Sequence, residues 1–200
     1  FYATTEYCSK FEVKFHGTIG DIREISKVFN NTLVNKNIDK YRNEVYSRTN
    51  EPNRTLQDVK DINILRNELY LDAETALLNS IEEDVFYLEA PTGSGKSNVA
   101  FNLSFQLLEQ NKHLNKIMYI YPFNTLIEQN INTVEKIFGS NQDVLSKISV
   151  VNSVTPILKE GDDYSLEEYE RALLDRQFFN YPITLSTHVT LFDIMFGKHK

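Results

Sequence analysis

The 200-residue sequence predicts an α/β fold with a parallel sheet and flanking helices, on three observations. Short apolar runs of strand length alternate with segments whose apolar residues recur at helical spacing, the order that builds βαβ units. A Gly/Ser-rich turn falls between the first such run and the helix after it. The composition, 41% hydrophobic and 24% charged, is that of a folded globular chain.

Each element follows from its residues. Ile22, Ile25, Val28 and Phe29 sit at helical spacing, which predicts a short amphipathic helix over 21–31. From Lys36 to Lys60 the chain is polar, with Asn50-Glu51-Pro52-Asn53 as a turn signal, and reads as a linker. Ile62, Leu65, Leu69, Ala73, Ala76 and Leu77 trace one helical face. Val85-Phe86-Tyr87-Leu88 reads as a first strand, and Val99, Leu103, Leu107 and Leu108 as the next helix. Ile117–Tyr121 reads as a second strand closed by Pro122. A helix follows through Leu126, Ile127, Ile131, Val134, Ile137 and Phe138, with Gly139 as its C-cap. Ile148–Val151 reads as a third strand. Ser165 and Glu168 have capping-box spacing before a helix through Leu173 and Leu174. Ile183–Ser186 reads as a fourth strand, followed by a helix through Phe192 and Met195. Right-handed crossovers place the strand ends along one edge, where ligands gather.

Composition also excludes several classes. A net charge of -7 rules out a globally basic coat for nucleic acid, though not a local groove. The single cysteine, Cys8, forms no intrachain disulfide, which fits a reducing, cytoplasmic setting. No apolar run approaches the roughly 20 residues that span a bilayer. The chain starts at Phe1 without the pattern of a signal peptide, and reads as a piece of something longer.

The strongest chemical signal is Ala90-Pro91-Thr92-Gly93-Ser94-Gly95-Lys96-Ser97, between an expected strand and an expected helix. Gly93 and Gly95 allow the backbone to curl so that Thr92, Gly93, Ser94 and Gly95 turn their N–H groups inward onto phosphate oxygens. Lys96 reaches the outer phosphates and is the candidate catalytic residue. The Ser97 hydroxyl sits on the Mg²⁺ that travels with ATP. The pattern differs from the strict one in having Ala90 where glycine is usual. It predicts a P-loop NTPase but does not separate kinases, transport ATPases and helicases.

Two strand ends carry the distinction. Tyr121-Pro122-Phe123-Asn124-Thr125-Leu126-Ile127-Glu128-Gln129-Asn130 resembles motif Ia of superfamily-two helicases, a segment that holds single-stranded nucleic acid. Ile183-Thr184-Leu185-Ser186-Thr187-His188 resembles motif Ic, where hydroxyls touch the same backbone. A helix N-terminus with Pro122, Phe123, Asn124 and Thr125 suits a phosphate, as do Ser186 and Thr187. The alternative is that Asn124 or Thr125 caps one helix and Ser186 or Thr187 caps the other.

A closer resemblance is to the CRISPR-associated helicase-nuclease of type I systems. It rests on Leu88–Asn98, Tyr119–Asn130, Leu185–Phe196, Asp61–Glu68 and, more faintly, Phe1–Tyr7. The resemblance implies residues 1–20 as the tail of an HD nuclease domain, 21–60 as a linker with a short helix, and 61–200 as the front of a first RecA-like domain. It implies an ATP-driven translocase on single-stranded DNA, partnered by a guide-RNA surveillance complex, whose metal-dependent nuclease cuts the displaced strand. No Walker B acid fits: Asp193 lies in a helical pattern, and Asp162 and Asp163 in a polar loop. His16, His113, His188 and His199 form no HD pair. The piece is therefore expected to be inactive alone, and Arg66 is a loose candidate for the adenine contact. A P-loop kinase or transport ATPase without a nucleic-acid role is the alternative.

Overall fold

A computed structural model describes residues 21–48, 59–139, 141–152 and 179–197, with Ser165, Leu166, Glu170 and residues 172–174 between them. The expectations for Phe1–Tyr7, His16, Asp162, Asp163, Glu168 and His199 lie outside the described residues. The chain divides into two compact units. One comprises Arg23–Leu114 and Lys136–Gly139; the other holds Asn115–Glu135 and Ser140–Lys200, with the first 22 residues.

The sheet belongs to the second unit. Strands β1 (Ile117–Tyr121), β2 (Ile148–Val151) and β3 (Ile183–Thr187) form a three-stranded sheet in the order β1-β3-β2. Both ladders are parallel: Ile117 and Ile148 each pair with Ile183, Tyr121 with Thr187 and Val151 with Ser186. Every residue of β3 is buried, which suits a central strand of a parallel sheet. Helix α7 (His188–Met195) follows β3 directly and packs on β3 and β1. The short helix α6 (Gln142–Leu145) precedes β2 and is capped by Asn141, whose side chain accepts from the Val144 N–H.

Helices make the first unit. Helix α1 is Ile22–Asn30, α2 is Leu33–Glu44, α3 is Ile62–Asn79 and α4 is Lys96–Gln110. Helix α5 runs Asn124–Phe138, and its last turn contributes Phe138 to this unit. Phe29 lies 5.0 Å from Phe105, 6.3 Å from Phe101 and 6.2 Å from Phe138, ring centre to ring centre. Phe101 meets Phe138 edge-on at 87°. Each such pair adds about 0.5–1.5 kcal/mol beyond the area it buries. Gly139, with φ +59, ends α5 in the left-handed region, as expected of a C-cap.

The structure departs from the sequence reading in three places. Val85–Leu88 is not a strand: no ladder partner faces it among the described residues, and Tyr87 is 95% exposed. An apolar run becomes a strand only when a neighbour takes its backbone hydrogen bonds, and the run itself does not reveal that neighbour. Leu33–Glu44, read as part of a linker, is a helix capped by Thr32, with Asn35 and Ile38 buried. The buried face of α3 is also turned from the expected one. Glu68, Tyr70, Leu71, Glu74 and Leu77 are inside, whereas Ile62 is 49% exposed.

That rotation has a polar cause. Arg42 forms two bonds to the Glu74 carboxylate, the one to Oε2 at 3.2 Å. Asn102 donates to the same oxygen at 2.7 Å, joining α3 to α4. Tyr41 donates to Glu68, and Tyr70 donates to Asn35 Oδ1 at 3.2 Å. The hydrogen bond to Glu74 holds the Arg42 pKa above its ordinary value, and burial raises that of Tyr70. Two buried carboxylates thus sit where a single-helix pattern calls for leucines, because their partners come from other helices.

Candidate nucleotide and nucleic-acid sites

The glycine-rich loop precedes α4 and lies wholly in the first unit. Gly93 has φ +79 and Gly95 φ +90, both in the region that side-chain-bearing residues rarely adopt. A Cβ at Gly93 would meet nothing within 4 Å, so the backbone angle, not crowding, requires glycine there. The Ser94 N–H donates to the Pro91 carbonyl at 3.3 Å, closing a turn across Thr92 and Gly93. Gly95 is the N-cap of α4 and offers no side chain to cap it. A helix start without a side-chain cap keeps N–H donors for an anion.

The side chains fit the same occupant. Lys96 Nζ donates to the carbonyls of Ala90, at 2.5 Å, and Pro91, at 3.0 Å, so its ammonium folds back over the loop. Ser94 Oγ is buried and makes no hydrogen bond, leaving one more donor at the turn. Thr92 and Gly93 are exposed, and Ser97 lies one residue beyond Lys96 in the first turn of α4. Thr92, Gly93, Ser94, Gly95, Lys96 and Ser97 are thus gathered on one turn and one helix start. A chain of phosphates fits this donor-rich, acid-free cradle. Among the described residues no three His, Cys, Asp or Glu side chains converge on a metal position. A divalent ion here would be held by the Ser97 hydroxyl together with phosphate oxygens.

The second set of residues lies at the C-terminal edge of the sheet, in the other unit. Because β1 and β3 are parallel and Tyr121 pairs with Thr187, both strands end side by side. Pro122 and Phe123 leave β1, and Asn124 and Thr125 begin α5. Phe123 is 68% exposed. Asn124 Oδ1 is buried and accepts no hydrogen bond, so this oxygen does not cap its helix. Burial pushes the Tyr121 pKa up to about 12.

The two hydroxyls on β3 are already engaged. Ser186 is fully buried and donates to the Val151 carbonyl at 2.6 Å, bonding β3 to β2. Thr187 is the N-cap of α7: its hydroxyl oxygen accepts the Thr190 N–H at 3.2 Å and bonds the Thr190 hydroxyl at 3.0 Å. The capping alternative thus describes Thr187 in this structure, and Ser186 offers no surface. Asp193 lies within α7, on a helix, as expected.

Of two further groups, the sequence offers Arg66 only as a loose candidate for the adenine contact and does not single out Lys116. Arg66, on the first turns of α3, donates from Nε and Nη2 to the Gly93 carbonyl at 3.1 and 2.8 Å. Lys116, at the foot of β1, donates to the Phe179 carbonyl at 2.7 Å, and burial lowers its pKa.

Comparison with known families decides the class. The DEAD/DEAH box helicase family matches residues 72–200, more than half of the chain. The chain belongs to that family. No curated protein and no solved structure matches it. Membership implies a fragment of an ATP-dependent nucleic-acid helicase that uses ATP with a divalent metal, and the parallel sheet with flanking helices is that of a RecA-like P-loop NTPase. No described helix is long and apolar enough to cross a membrane.

Proposed function

We propose that the chain is part of an ATP-dependent translocase on single-stranded DNA that works in CRISPR interference. The observation that carries the nucleic-acid half is the parallel register that ends β1 and β3 together, so that Pro122, Phe123, Asn124, Thr125 and Thr187 share one edge. Phosphate-backbone contact at such an edge uses amides, hydroxyls and helix starts. This is how a chain of net charge -7 can bind a polyanion. An exposed Phe123 adds a surface on which a base can stack. Ser186 positions this edge by tying β3 to β2.

The nucleotide half rests on the loop. Thr92, Gly93, Ser94, Gly95 and Lys96 would bind the phosphates of ATP, and Ser97 would ligate Mg²⁺. When bound, ATP would supply the phosphoanhydride bond whose hydrolysis drives the motor, and the metal would neutralise the charge on its phosphates. Lys96 holds charge where it develops. The finer assignment, to a type I system with a surveillance-complex partner, is supported by the resemblance of Tyr119–Asn130 and Leu185–Phe196, the nuclease domain by that of Phe1–Tyr7, and a cytoplasmic setting by the single Cys8. Substituting Lys96→Ala in the full-length protein tests the nucleotide half. DNA-stimulated ATP turnover falls by about 10²-fold or more, the scale of losing one main charge stabiliser; unchanged turnover overturns the reading.

A further inference from the structure

The guanidinium of Arg66 is placed by its own helix before it reaches the loop. Asp61 caps α3 and accepts the Asn63 N–H at 2.9 Å. Asn63 Oδ1 in turn accepts Arg66 Nη1 at 3.4 Å. Eight residues along α3, about 12 Å away at 1.5 Å per residue, Glu74 is bolted to Asn102 of α4. The helix that carries Arg66 is thus fixed against the helix that the loop opens into.

Arg66 gives two donors to one acceptor, the Gly93 carbonyl. A trans peptide points its C=O and N–H in opposite directions. Holding the Gly93 carbonyl therefore fixes the next N–H, that of Ser94, on the opposite side. There it meets Pro91 O, the same oxygen that takes Lys96 Nζ. Two donors that a phosphate would engage are thus gathered on one backbone carbonyl, and Arg66 holds the peptide that presents the first of them.

We propose that Arg66 is a positioning residue for nucleotide binding, which clasps the Gly93 carbonyl and so holds the peptide whose Ser94 N–H, bonded to Pro91 O in this structure, turns to a phosphate oxygen on binding. The proposal rests on the reading of this loop as the phosphate site. It places Arg66 on the loop rather than on the base. The effect is on affinity: without the clasp the Gly93–Ser94 peptide, beside a left-handed glycine, is held only through the Ser94 N–H, is less ordered and must be ordered again on binding.

The test compares MgATP with magnesium tripolyphosphate, which has no base, by calorimetry on the full-length protein. Arg66→Ala weakens both by the same factor, about three- to tenfold, the span of one net hydrogen bond. KM for ATP rises by that factor while kcat holds within about twofold. Arg66→Lys keeps the charge but not the two-pronged geometry and recovers only part of the loss. Loss of ATP affinity with tripolyphosphate affinity intact overturns the proposal, because Arg66 then acts on the base. A lower melting temperature with both affinities unchanged overturns it too, leaving a structural role alone. Lys96→Ala is the internal control: if it leaves tripolyphosphate affinity intact, the phosphate-site reading fails first, and with it the proposal.

Discussion

Val85–Gln110 and Ile117–Phe138 have the same plan: an apolar run, a proline-containing loop and a 15-residue helix. Their outcomes differ at both ends of the loop. Ile117–Tyr121 is a strand because β3 takes its backbone hydrogen bonds, and the residues after it are held beside Thr187. Val85–Leu88 has no such partner among the described residues, and Val85 and Tyr87 are 66% and 95% exposed. The first loop nevertheless has the more specified backbone, with two left-handed glycines and an arginine clasp. The glycine-rich loop is thus defined by its own angles and one helix, while the strand-end loop is defined by the sheet.

Stability measurements break this comparison most forcefully. Leu185, 1% exposed at the centre of the sheet, costs about 2–5 kcal/mol when cut to alanine, read from the denaturant midpoint. Tyr87→Ser changes the same midpoint by no more than about 0.5 kcal/mol, as exposed positions do. Equal costs for the two would mean that Val85–Leu88 is buried as firmly as β3. The cap at the strand edge gives a smaller effect. Thr187→Val removes the acceptor of the Thr190 N–H and costs about 1 kcal/mol, with Thr187→Ser close to neutral. A neutral Thr187→Val would remove the cap from the account.

The smallest effect is confined to alkaline pH. Tyr121 has a folded pKa near 12 against an ordinary value of 10.0. A raised pKa means that its share of stability is complete below the unfolded value. That share is lost as pH rises from there through the folded value. Thermal melts of the wild type therefore fall over that window. Tyr121→Phe flattens part of the fall, leaving a remainder to Tyr70, whose pKa burial also raises. A Tyr121→Phe profile parallel to the wild type would show that the phenol is solvated in both states.

What could be read from sequence follows the same division. The backbone of the glycine-rich loop was legible because it is local: two glycines, a lysine and a serine at fixed spacing dictate a turn and a helix start. Three strands, the Gly139 cap and α7 were legible from short apolar runs and their breakers. The linker over 36–60 was misread across 36–44 because Asn35 and Ile38 find partners on distant helices, which polarity alone hides. The α3 face was misread for the same reason, since Glu68 and Glu74 are buried only by virtue of Tyr41, Arg42 and Asn102. Ser186 has the sequence of a surface contact and the position of a bolt between strands.

The central claim is that the nucleotide loop and the strand edge serve one reaction. ATP turnover by the full-length protein, measured with and without single-stranded DNA, tests it most directly. The account predicts a several-fold rise when DNA is added, lost in Lys96→Ala. The same turnover with and without DNA would contradict it and leave a P-loop ATPase with no nucleic-acid role.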